Sequence, residues 1–141
     1  MRGNKKVKKK SPLVKQAKSL IQRKKKVLLG VRSSDLNLRV ALSQMNAVVG
    51  DFQHNVERIE NYIMEATKFK ADLVVFPELV LTGYPPEDLL LKNDFIEANN
   101  KALKHISSGV KKMVVVIGYV EKVKMNLYNS AAIIYEGRVI G

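Results

Sequence analysis

Leu73–Leu91 reads LVVFPELVLTGYPPEDLLL, and the change of character after its fourth residue decides the fold. Leu73, Val74, Val75 and Phe76 are apolar without alternation, the pattern of a strand covered on both faces, as strands of parallel sheets are. Pro77 ends the run. Thr82, Gly83, Tyr84, Pro85 and Pro86 punctuate a loop, and Glu87–Leu91 follows as a helical turn whose Glu87 and Asp88 suit the positive end of a helix dipole. A strand halted at Pro77 delivers the next side chain, Glu78, to its carboxyl end, where open α/β sheets build their ligand crevices.

The flanking sequence supplies the other elements. Upstream, Val56, Ile59, Ile63 and Ala66 recur at helical spacing, with Asn55 as the predicted cap and a stop near Lys70. Val49, Gly50 and Asp51 mark a turn before that helix. Leu38, Val40, Leu42 and Gln44 alternate with Arg39, Ala41, Ser43 and Met45 as a strand. Downstream, Asp94 is the predicted cap of a second helix that carries Phe95, Ala98, Ala102, Leu103 and Ile106 on one side and ends at Ser107, Ser108 and Gly109. Met113–Tyr119 and Leu127–Tyr135 read as buried strands, and Glu136–Gly137 as a tight turn into a strand starting at Arg138, because Gly supplies the positive φ that such turns require. Strand, helix, strand, helix, strand, strand, with the last hairpin leading into a further strand at Arg138, predicts an α/β layered domain over residues 38–141. Gly141 falls inside the last strand, so the expectation is an incomplete sheet, part of a domain.

Composition narrows the chemistry. Thirteen of the 25 basic residues but only one of the 13 acids, Asp35, fall in residues 1–35, so the net charge of +12 belongs to that stretch alone. The whole-chain charge therefore carries no information about the partner of the folded part. Residues 1–37 read as a basic leader, disordered over 1–10 by self-repulsion and a basic amphipathic helix from Ser11–Pro12 through Leu13, Ala17, Leu20 and Ile21 to near Gly30. The absence of Cys from all 141 residues excludes disulfides, thiolate metal sites and a thiol nucleophile within the chain. The longest apolar stretch, from Met113 to Val120, is far short of the roughly 20 residues that span a bilayer. With no secretory pattern either, a cytoplasmic protein is expected.

Few side chains are candidates for chemistry. Burial at a strand end raises a carboxylate's affinity for a proton, so Glu78 is a candidate general base. His54 and His105 lack acids or Cys at ligand spacing, and no metal site is expected. No phosphate loop or dinucleotide fingerprint occurs, so no cofactor is expected in this segment. Ser43, Ser107, Ser108 and Ser130 lack a paired His and acid.

Phe76, Pro77, Glu78 and Leu79, continued by Thr82–Leu90 (TGYPPEDLL), make residues 38–141 resemble the amidase domain of glutamine-dependent NAD synthetases, a branch of the nitrilase superfamily. Gln44 and Asn46, Gly50 and Asp51, Asn55, Ala71 and Asp72, Leu127–Ala131 (LYNSA) and Gly137 follow in the same order. The resemblance implies the N-terminal part of an αββα sandwich, assembled in homo-oligomers. It implies Glu78 as the catalytic base, Tyr84 as a residue lining the glutamine pocket, and a Lys and a Cys beyond Gly141. Lys122 and Lys124 precede LYNSA and do not fit that Lys. It also implies that glutamine is the substrate of the complete enzyme, and that the rest of the amidase domain and a synthetase domain holding ATP and magnesium are the partners. The expectation is a truncated glutamine amidohydrolase segment, inactive alone. Two other readings stand beside it: another nitrilase-superfamily hydrolase acting on a small carbamoyl or ω-amide compound, and a non-catalytic protein whose basic leader binds RNA or another acidic partner.

Overall fold

The computed structural model describes residues 37–141. The disorder expected for residues 1–10 and the helix expected from Ser11 lie outside the described residues. The elements are β1 (Val40–Leu42), α1 (Phe52–Lys68), β2 (Leu73–Val75), a short 3-10 helix (Glu87–Leu91), α2 (Asn93–Gly109), β3 (Val114–Val123), β4 (Asn126–Tyr135) and β5 (Arg138–Val139). The five strands lie in sequence order in one sheet. β1, β2 and β3 are parallel, as helical crossovers between them require, and β4 and β5 return antiparallel through tight turns.

Two neighbouring rows of the sheet show where the core lies. Register aligns Ala41, Val74, Val115 and Ile134 across β1 to β4, and the last three are at most 1% exposed. They pack against Ile59 of α1 and Ala102, Leu103 and Ile106 of α2, so both helices cover this face. Burying each large aliphatic side chain there is worth about 1.5–3 kcal/mol. One residue along, Leu42, Val75, Val116 and Ile133 form the adjacent row on the opposite face. Leu42 is 75% and Ile133 39% exposed, with the middle pair half-buried. β2 and β3 are thus apolar on both faces, as their unalternating sequence predicts, whereas the alternating apolar set in and just before β1, Leu38, Val40 and Leu42, is exposed; among the described residues helices cover one face of these rows.

The predicted caps are wrong. Asp51, not Asn55, caps α1: its Oδ1 accepts from the His54 amide at 3.2 Å. Asn55 lies inside the first turn, fully buried. Asp94 likewise sits within the first turn of α2, and Lys92 holds the cap position without a side-chain bond. The 3-10 helix runs straight into α2 there, its Leu89 carbonyl accepting from the Lys92 amide at 3.0 Å. β3 extends to Val123 rather than ending at Tyr119, because Glu121 and Lys122 keep pairing with Tyr128 and Leu127. In the β4–β5 turn both Glu136 (φ 48°) and Gly137 (φ 79°) are left-handed, the geometry of a type I′ hairpin. No helix among the described residues is long and apolar enough to cross a membrane.

Candidate active site

Glu78 is positioned by the turn that follows β2. The Phe76 amide makes the last bond of the parallel ladder, to the Val116 carbonyl at 2.9 Å. The chain then folds onto the open face over Gly118 of β3. A Cβ on Gly118 would meet the Leu79 nitrogen and the Pro77 oxygen at 2.6 Å and the Glu78 Cα at 2.9 Å. Leu79 takes a left-handed φ of 45°, a costly conformation for a non-glycine residue. Its side chain, 6% exposed, packs among Phe95, Ile96 and Val120, and that burial offsets the local strain.

So placed, the Glu78 carboxylate accepts a hydrogen bond through Oε1 from Asn129 Nδ2 of β4. Register puts Asn129 opposite Val120, on the same open face as Gly118 and Ala131. Glu78 is exposed, not buried as expected at a strand end. It lies on the face of the sheet opposite the two helices, beside Asn129.

Loop 79–86 is stitched to the β1–α1 loop. Asn55 Nδ2 donates to the carbonyls of Val48 (2.7 Å) and Leu81 (3.1 Å), while its Oδ1 accepts from the Val48 amide at 2.9 Å. The Gly50 amide donates to the Thr82 carbonyl at 2.9 Å. Gly83, at φ 75°, lies so close to Val49 that an added Cβ would stand 2.6 Å from the Val49 backbone. Tyr84 follows immediately, 65% exposed. The structure thus brings Glu78 and Tyr84 onto one loop, with no hydrogen bond between them among the described residues.

A second buried amide steadies β3. The β2–β3 pairing ends at Val75–Val116, and further along β3 Asn99 of α2 bonds the strand's backbone: Nδ2 donates to the Val120 carbonyl at 2.7 Å, and Oδ1 accepts from the Val120 amide at 3.4 Å. Neither Asn99 nor the role of Asn129 is foreseen from sequence. A signal for Asn99 exists, since it falls on the same helical stripe as Phe95, Ala102, Leu103 and Ile106, where an amide needs a backbone partner.

Several other polar groups are engaged away from Glu78. His54 pairs with Asp51 (2.7 Å) and His105 with Glu60 (3.0 Å). Hydrogen bonds from the His54 amide and ring hold the Asp51 carboxyl below the ordinary value of 3.8. Burial, then the charge of and hydrogen bond with Glu121, pushes the Tyr119 phenol up. Ser130 Oγ donates to Glu121 at 2.8 Å, whereas the buried Ser43 Oγ has no partner among the described residues. Lys122 Nζ donates to Asn93 Oδ1 at 3.1 Å. Among the described residues no three His, Asp or Glu side chains cluster as metal ligands. A groove of about 760 Å³ lined by Ile63, Met64, Ile106 and Met113 opens between the C-terminal ends of the helices. It adjoins the residues that lead into β2 and β3, at the opposite end of the strands from Glu78.

The Glu78 carboxylate is thus presented just past the carboxyl end of β2, in the parallel part of a mixed sheet. Residues 39–140 match the carbon-nitrogen hydrolases, and the chain belongs to that family. Within it, the chain is 41% identical over 103 residues to a glutamine-dependent NAD(+) synthetase of Xanthomonas campestris pv. campestris, covering 72% of this chain and 19% of the relative. The fold resembles that of the glutamine-dependent NAD+ synthetase of Acinetobacter baumannii (TM-score 0.69, 38% identity, 74% of this chain and 20% of that one). It also resembles the corresponding enzyme of Cytophaga hutchinsonii (TM-score 0.71, 27% identity, 74% and 18%). The five strands and two helices match part of a nitrilase-type fold. The chain spans about a fifth of the length of the curated relatives it matches.

Proposed function

We propose that residues 38–141 are the part of a glutamine-hydrolysing domain that supplies the general base, Glu78, and a wall of the glutamine pocket, Tyr84, for glutamine-dependent NAD synthesis. The observation that carries this reading is the placement of Glu78: at the carboxyl end of β2, on a turn seated on Gly118, with its carboxylate exposed to an incoming group. The likeness to NAD synthetases through the FPEL and TGYPPEDLL stretches supports glutamine over other amides.

In this reading Glu78 takes the proton of a cysteine thiol as sulfur attacks the glutamine carboxamide carbon, and passes it to the departing nitrogen as the C–N bond breaks, releasing ammonia. Water then attacks the thioester. Glu78 accepts the water's proton and returns one to the leaving sulfur, giving glutamate and free thiol. A lysine stabilises the oxyanion in both stages. The 141 residues contain no Cys, so the nucleophile is supplied from outside them, and the chain alone is inactive toward glutamine. ATP and magnesium, which the amidation of nicotinate adenine dinucleotide uses, belong to the synthetase part of the same cytoplasmic enzyme, a homo-oligomer.

The test transplants residues 39–140 into the Xanthomonas campestris synthetase in place of the matching stretch. Glu78→Gln is expected to lower glutamine-driven NAD formation by about 10²–10⁴-fold, the usual contribution of a general base, while ammonia-driven formation continues. Glutamine-driven turnover that survives the substitution, or ammonia release from glutamine by the purified 141-residue chain, would overturn the reading.

A further inference from the structure

Building on the reading of Glu78 as the base, we propose that Asn129 is its positioning residue: the β4 amide holds Oε1 and leaves Oε2 free to take the proton. Glu78 is exposed on a loop, where a glutamate samples many rotamers and only a fraction of them aim at a substrate. Among the described residues, Asn129 is the donor that meets its carboxylate.

Asn129 is suited to that task by where it stands. It lies within the ladder that pairs β3 and β4 from Val115–Ile134 to Val123–Asn126. Its cross-strand neighbour Val120 is also held by Asn99. On the same face, Gly118 seats the backbone of Pro77, Glu78 and Leu79. The base is therefore fixed twice from one hairpin, its backbone by β3 and its carboxylate by β4. A neutral amide suits the task, because it orients the carboxylate without adding a full charge beside it.

The test uses the transplanted synthetase. Asn129→Ala is expected to lower glutamine-driven kcat about 10- to 100-fold, the size of one hydrogen bond to a charged group, with KM within about twofold and ammonia-driven synthesis unchanged. Asn129→Gln, which keeps the amide, is expected to restore part of kcat. A merely structural role would instead depress ammonia-driven synthesis, or move KM and kcat together without rescue. Separately, in the 141-residue chain the Asn129 side-chain amide resonances are expected to move on Glu78→Gln. If Glu78→Gln silences glutamine use but Asn129→Ala keeps full kcat, or if those resonances do not move, the positioning role is wrong. If Glu78→Gln itself leaves glutamine use intact, the assignment of Glu78 as the base fails instead.

Discussion

Gly118 and Gly83 matter through the atoms they lack. Each lies where backbone from another segment passes within 2.6 Å of the place a Cβ would occupy, so neither contact survives any side chain. Gly118→Ala is expected to push the Pro77–Leu79 turn off the sheet, at a cost of about 1–3 kcal/mol for overpacking a rigid site. The midpoint of urea unfolding measures the loss, and an unchanged midpoint would contradict the seating. Asn55 acts by the opposite means, filling a buried space with donors and an acceptor. Asn55→Leu strands the Val48 amide and two carbonyls and is expected to cost about 2–5 kcal/mol, more than an apolar exchange of similar size, because unpaired buried polar groups bear their full desolvation.

At the scale of the element, α1 depends on Asp51. Its carboxylate accepts from the His54 amide and pairs with the His54 ring, which holds its folded-state pKa below the ordinary 3.8. A depressed carboxylate contributes stability that is fully present above the unfolded value and is lost as pH falls through the folded one. Asp51→Ala should therefore be less stable than the unmodified chain near neutrality, and the gap should narrow as pH drops below 3.8. Thermal melts followed by circular dichroism across the acid range check this, and a gap that widens on acidification would show that Asp51 is not the cap. The β3–β4 hairpin is the other decisive element, because it presents Gly118 on one strand and Asn129 on the other.

For the molecule as a whole, the row Leu42, Val75, Val116 and Ile133 leaves apolar surface on the face opposite the helices. A face of that kind seeks cover. The purified chain is expected to self-associate and to bind an apolar dye, and Leu42→Lys combined with Ile133→Lys to reduce both. Light scattering settles the matter: a monodisperse monomer with a sharp thermal transition would contradict the expectation. The open face is also the one on which Glu78 and Asn129 meet, so whatever covers it comes close to the candidate site.

Much of this was legible in the sequence. The order of strands and helices follows from the period of the apolar residues, and Pro77 after LVVF places Glu78 at a strand's carboxyl end. Those are local properties, written in neighbouring residues. The tertiary structure alone decided which face the helices cover, that Asn55 and Asn99 turn inward to bond loop and strand backbone, and that Asn129 reaches Glu78. The last two residues are separated by 51 positions in the chain. Their meeting depends on the register that sets Gly118 beside Ala131 and Val120 beside Asn129. Register is fixed by pairing energies summed over two whole strands, and shifting it by one residue would turn Asn129 to the opposite face.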